Sequence, residues 1–213
     1  MQIAVLLFEG FTSLDAVGPY EILAHLPGAE TVFVAKETGP VRNDQGSLAL
    51  SADKTLADVP HPDIVLVPGG PETRQAAHDP EIQRWLRTAD ATSTWTTSVC
   101  TGSLLLAAAG LLDGRRATTH WLAYEELRAL GVEPTGERVV FDGKYVTAAG
   151  VSSGIDMALH LFGRIAGDEA AMTVQLLTEY DPQPPYDAGS PLKAPAELVA
   201  RWRGVATEEL PQG

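Results

Sequence analysis

Cys100 is the only cysteine in the chain. It stands in Thr96-Thr97-Ser98-Val99-Cys100-Thr101-Gly102-Ser103, where a strand-like run passes directly into a helix of small residues. That is the setting of a nucleophile elbow, in which the side chain stands at the carboxyl edge of a sheet and helix amides point at it. Gly102, two residues on, suits the close strand–helix packing of such a turn. A lone cysteine also packs as an inert small hydrophobe, so its neighbours must decide. Ligands of open parallel sheets bind outside the carboxyl ends of the strands. Three other strand ends carry unusual chemistry. Asp15 follows the first apolar run, Gly69-Gly70 follows Ile64–Val67, and Gly150-Val151-Ser152-Ser153-Gly154 follows Tyr145–Ala148. Paired glycines let the backbone approach a ligand and offer amide donors, as an oxyanion hole requires, although they also serve plain tight turns. An aspartate there can equally cap the helix that follows.

Set beside a thiolate, Asp15 would repel it by roughly 4 kcal/mol at about 4 Å and an effective dielectric near 20. Helix amides return at most about 2 kcal/mol. Both groups therefore do not ionise together, and the expected state is a Cys100 thiolate beside a protonated Asp15. A rival nucleophile is Ser152, since residues 150–154 satisfy G-x-S-x-G. A serine triad needs an acid and then a histidine on later strands. Downstream lie Asp156, His160 and Asp168, all on helical stretches or their ends. Val151 and Ser152 are instead read as lining a pocket centred on Cys100. His120, in Thr118-Thr119-His120-Trp121, is either a pocket residue or a helix-start histidine. The histidines show no metal-ligand spacing, and neither a Walker A sequence nor G-x-G-x-x-G is present, so no metal or nucleotide cofactor is expected.

The elements that must hold these residues alternate as in a parallel sheet covered by helices. Strands are predicted over Ile3–Phe8, Thr31–Ala35, Ile64–Val67, Trp95–Ser98 and Tyr145–Ala148, with weaker ones at Leu48–Leu50 and Arg138–Phe141. Asp142-Gly143 marks a two-residue hairpin. Helices are predicted over Ala16–Leu26, Pro80–Ala89, Gly102–Ala109, Leu122–Leu130, Ile155–Ala166, Glu169–Leu177 and Ala194–Arg203. The prolines after Asp181 imply an extended arm at about residues 181–193. No repeat or linker divides the 213 residues, so one α/β domain is expected. A formal charge of −13 opposes binding to nucleic acid or anionic lipid. The apolar start ends at Glu9 without a basic leader, and no apolar run is long enough to span a bilayer, which predicts a cytoplasmic protein.

Asp15 with Gly18-Pro19, the segment Thr97–Ser103, Pro68-Gly69-Gly70, Gly114–Trp121 and Pro184–Pro191 together resemble the PfpI-like branch of the class I glutamine-amidotransferase-like superfamily. Within that branch they are similar to the isocyanide hydratases, and the likeness runs from the first strand to the C-terminal arm. The resemblance implies a flavodoxin-like three-layer sandwich, a homodimer, and catalysis without metal or organic cofactor. It also implies a small isocyanide substrate, hydrated to an N-substituted formamide. By the same resemblance Cys100 is the nucleophile and Asp15 its acid/base partner, while Thr101 and the Gly69 and Gly70 amides orient and polarise. A thioimidate on Cys100 is then the covalent intermediate. Thr101 stands where members with peptidase motifs carry histidine. Two other readings use the same cysteine, a glyoxalase- or deglycase-like enzyme and a non-catalytic redox or ligand sensor. A transcription regulator is not expected from a chain ending at Gly213 with no basic face.

Overall fold

The computed structural model describes residues 1–208. Its main sheet has seven strands in the order β5-β2-β1-β6-β7-β9-β8. In chain order these are β1 (Gln2–Leu6), β2 (Glu30–Ala35), β5 (Lys54–Thr55), β6 (Ile64–Val67), β7 (Trp95–Val99), β8 (Val139–Asp142) and β9 (Tyr145–Ala148). All pairings are parallel except β8 with β9, which turn through Gly143-Lys144, one residue later than predicted, with Asp142 paired to Tyr145 and Gly143 at φ 61°. A separate antiparallel pair, β3 (Gly39–Arg42) and β4 (Ala49–Ala52), forms a small second sheet.

The central strands β1, β6, β7 and β9 are sealed on both faces. Ile3, Ala4, Val5 and Leu6 of β1 and all of β6 are buried, as continuous apolar runs in parallel sheets require. β7 is the exception in chemistry, with Thr96, Thr97 and Ser98 fully buried. Thr97 Oγ1 donates to the Val65 carbonyl at 2.9 Å, and Thr96 Oγ1 to Asp90 at 2.7 Å. A buried hydroxyl is tolerated when it is bonded in this way.

The helices are α1 (Ser13–Leu23), α2 (Thr73–Ala77), α3 (Pro80–Thr92), α4 (Gly102–Ala108), α5 (Tyr124–Ala129), α6 (Ser153–Ala166), α7 (Asp168–Leu177) and α8 (Ala196–Glu208). α1, α6 and α7 pack together, while α2, α3 and α5 gather around α4. Small residues set the first contact. A Cβ on Gly18 would meet Ile155 at 3.0 Å, and one on Gly154 would meet Pro19 at 3.2 Å. Residues 178–195 contain neither helix nor strand. No described helix is long and apolar enough to cross a membrane.

Several expected bounds shift, among them the helix predicted over Pro80–Ala89, which runs to Thr92, and the one over Ala194–Arg203, which is Ala196–Glu208. The first helix begins at Ser13 and stops at Leu23, where Ala16–Leu26 was predicted, because Asp15 joins its first turn. The stretch predicted as Leu122–Leu130 divides into a 3-10 turn at Trp121–Ala123 and a short α5. What matters for function is the shared edge. The register pairs Val67 with Ser98 and Val99 with Ala148, so β6, β7 and β9 end together, beside β1.

Candidate active site

Cys100 is one of two non-glycine residues with positive φ among those described, at 58°. Such a conformation costs about 1–3 kcal/mol and persists only where neighbours enforce it. Here they do. Its N–H is shared between the Ala148 and Ala149 carbonyls at 3.1 and 3.0 Å. Its carbonyl accepts from Thr119 Oγ1 at 3.0 Å and from Ser103 Oγ at 3.3 Å. The turn is also pressed against the neighbouring strand end: a Cβ on Gly102 would lie 2.2 Å from the Val67 carbonyl oxygen. The packing role expected for Gly102 is thus visible in atoms.

Asp15 is fully buried in the first turn of α1. A closed circuit of backbone contacts fixes it. Thr12 N–H donates to the Gly69 carbonyl at 2.8 Å, and Asp15 N–H to the Thr12 carbonyl at 3.1 Å. Gly69 N–H then donates to Asp15 Oδ2 at 3.0 Å. Oδ1 is buried and meets no N–H or O–H donor among the described residues. The carboxyl and the Cys100 thiol lie close enough that each acts on the other's ionisation. Burial raises Asp15 from 3.8 to about 7, against the lowering effects of the Gly69 N–H and the Cys100 contact. Burial, and then the Asp15 charge, push Cys100 well above its ordinary value, although Thr101 N–H and hydroxyl favour the thiolate.

This differs from the ready-made thiolate anticipated from sequence. Weighing helix amides against a neighbouring charge left out desolvation, which acts on both groups. Burial thus favours the thiol form of Cys100, beside a carboxyl raised to about 7. The Asp15 charge still disfavours the thiolate.

The other candidate residues divide. Thr101 Oγ1 accepts from Gly70 N–H at 2.9 Å and shares a hydrogen bond with Thr73 Oγ1 at 2.8 Å. Thr101 therefore ties the cysteine turn to the loop after β6. The Gly69 and Gly70 amides were expected as free oxyanion donors, but Asp15 and Thr101 already occupy them. Their lack of side chains is nonetheless needed: a Cβ on Gly69 would fall 2.5 Å from Thr101 N, and one on Gly70 2.3 Å from the Gly10 carbonyl oxygen. Val151 is half-buried against the core. Ser152 is exposed and accepts from the Arg138 guanidinium at 3.2 Å, beside the Arg138–Asp156 ion pair. It thus belongs to a surface network and not to the wall of a Cys100 pocket. His120 Nδ1 accepts from Leu122 N–H at 3.3 Å, which caps the 3-10 turn. Burial lowers its pKa and keeps it neutral. Its ring fills the space beside Gly150, where a Cβ would lie 2.1 Å away. The helix-start reading of His120 is the one its contacts support. Thr12, Thr73 and Thr119 were not singled out as site residues. Their side-chain partners are 19 to 32 positions away, and nothing local marks them.

Comparison with known proteins agrees with this architecture. An isonitrile hydratase from Pseudomonas putida is 43% identical over 210 residues, covering 99% of this chain and 92% of that protein. A THiJ/PfpI family protein from Pseudomonas syringae superposes with a TM-score of 0.94 at 39% identity, over 97% of this chain and 86% of the other. A glutathione-independent glyoxalase from Caenorhabditis elegans is more distant, at 26% identity over 67% of this chain and 76% of its own length. The DJ-1/PfpI family pattern matches residues 1–163, and the chain belongs to that family.

Proposed function

We propose that this protein is an isocyanide hydratase that adds water to R–N≡C and releases an N-substituted formamide. The observation that carries the reading is the buried Asp15–Cys100 pair, in a chain 43% identical over nearly its whole length to an isonitrile hydratase. The terminal carbon of an isocyanide must acquire both a nucleophile and a proton. Asp15 takes the thiol proton as sulfur attacks that carbon, and the C–S bond forms. The same proton passes to the carbon, which leaves a thioimidate, R–N=CH–S–Cys100. Water then adds to this carbon with Asp15 as base, the nitrogen is protonated, and the C–S bond breaks. Formamide departs and the thiol is restored. Thr101 holds the turn through Gly70 and Thr73. No metal or organic cofactor enters this scheme.

The reading extends to the chain as one catalytic domain, working as a homodimer in the cytoplasm, where a single thiol stays reduced. Support for self-association comes from exposed apolar side chains on α7 and beyond it, namely Met172, Leu176, Leu177, Tyr186 and Leu192.

The test is direct. Purified protein is incubated with an aryl or alkyl isocyanide, formamide is quantified, and acid-quenched enzyme is weighed by mass spectrometry. The expected result is turnover with an adduct of substrate mass on Cys100, and loss of both in Cys100→Ala at an unchanged circular dichroism spectrum. Turnover persisting in Cys100→Ala would overturn the mechanism. Lactate from methylglyoxal with no formamide from any isocyanide would replace the reading with the glyoxalase one.

A further inference from the structure

The β3–β4 hairpin lies outside the main sheet, yet it is stitched to the loop that starts α1. Gly10 N–H donates to the Arg42 carbonyl at 2.9 Å, Asp44 N–H donates to the Phe11 carbonyl at 3.0 Å, and Phe11 bridges Asn43 in parallel. This places the Asp44 carboxylate at the N-terminal end of α1. Thr12 is the residue that would cap that helix, but its side chain does not bond its own backbone. Its hydroxyl donates instead to Asp44 Oδ2 at 3.0 Å. Asp44 Oδ1 accepts from the Asn43 side chain at 3.2 Å, and Asn43 in turn accepts from Leu48 N–H at 3.1 Å. Both carboxylate oxygens are therefore held, and one of them grips a member of the Thr12–Gly69–Asp15 circuit.

We infer that Asp44 is a positioning residue for the Asp15–Cys100 pair: it locks Thr12 by a hydrogen bond and sets a carboxylate beside the turn that holds Asp15. That neighbouring charge also raises Asp15, as the least of the effects on it. This rests on the hydratase reading for its functional meaning and not for its structural test. Two charged or ionisable groups act on Asp15, the Cys100 thiol from the turn after β7 and Asp44 from the hairpin; Gly69 on the turn after β6 contributes only its N–H. Around Asp44 the hairpin and its surroundings also carry Glu9, Arg42 and Glu72, which line an open cleft with it. The Arg42 guanidinium is turned to the Gly46 carbonyl at 2.9 Å. The cleft admits solvent, so the influence of Asp44 is attenuated and its removal should move Asp15 by roughly half to one pH unit.

The variant is Asp44→Asn, which keeps an oxygen for Thr12 and discards the charge. Carbon-13 NMR of the Asp15 carboxyl, titrated from pH 4 to 9 in wild type and variant, reads the effect without substrate. The expected result is a midpoint lowered by roughly half to one unit, with the acid limb of kcat/KM for isocyanide hydration displaced equally. That limb reports the pair's loss of its first proton. An unmoved Asp15 midpoint in a folded variant overturns the inference. If Asp44→Asn does not fold, Asp44→Ser carries the same titration, with the same reading of either outcome. A wild type that makes no formamide would sink the hydratase reading and leave the NMR shift to be judged by itself.

Discussion

A carboxyl sealed from water and given one backbone N–H is a poor anion, and that has a consequence for folding as well as for chemistry. Asp15 ionises near 3.8 when the chain is unfolded and near 7 when folded, because burial outweighs the Gly69 hydrogen bond. Between those values the native state binds the proton that the unfolded state has lost. Stability therefore falls as pH rises through that window, and what Asp15 contributes at low pH is gone above about 7. The upper bound is roughly 4 kcal/mol, reduced by whatever proton sharing with Cys100 relieves. Asp15→Asn has no charge to bury and still offers Gly69 an acceptor, so it escapes this penalty. Thermal unfolding at pH 5 and pH 8 should show the variant gaining on wild type as pH rises, by roughly 2–4 °C for each kcal/mol. A difference that is flat with pH would mean that Asp15 does not titrate in this range. Activity should move the opposite way, with formamide production lost in the more stable variant, since among the described residues Asp15 is the ionisable group that acts on Cys100. Strain and burial at this pair are costs that the site carries for reactivity.

At the level of elements, close backbone approach decides which residues are tolerated. Gly102 begins α4 with its Cα against the carbonyl end of β6, so Gly102→Ala forces strand and helix apart or deforms the Cys100 turn. The obstruction is backbone, which cannot step aside like a side chain, and a loss on the order of 2–4 kcal/mol follows. Differential scanning calorimetry should place the variant about 4–16 °C below wild type, whereas an unchanged Tm would show that the turn is looser than its contacts imply. Such a glycine is legible in sequence because the strand-to-helix junction demands it locally. The same holds for β6, whose four apolar residues suit an interior strand, and for the β8–β9 hairpin, although it turns one residue later than Asp142-Gly143. β3 was not anticipated, since Gly39-Pro40-Val41-Arg42 has no apolar run and owes its strand to pairing with β4. α2, five residues long, is too short to show a helical period. The site divided along the same line. Cys100, Asp15 and the glycine pair announce themselves by residue type at strand ends. That Gly69 and Gly70 spend their amides on Asp15 and Thr101, or that Asp44 reaches Thr12 across 32 positions, depends on tertiary contacts that no local pattern encodes.

For the whole molecule, two surface properties pull against each other. α7 turns Met172 and Leu176, one helical turn apart, toward solvent together with Leu177, each more than 60% exposed. Leu192 beyond it is 96% exposed. Apolar groups concentrated on one helix and the segment that follows favour burial against another chain. Yet each copy carries a formal charge of −13, so two copies repel at long range. Apolar burial is indifferent to salt, whereas the repulsion is screened over about 30 Å at 10 mM and about 8 Å at physiological ionic strength. The proposed homodimer should therefore tighten as salt is added, the reverse of an association driven by ion pairs. Light scattering after size exclusion, over a dilution series at low and physiological salt, should find the dimer persisting to lower protein concentration in the saltier buffer. Leu176→Glu adds charge where apolar contact is needed and should yield monomer at concentrations where wild type is dimeric, with its circular dichroism unchanged because the side chain touches little of its own core. A wild type that elutes as monomer in both buffers, or a Leu176→Glu protein that remains dimeric, would remove this face from the interface and leave its exposure without a partner.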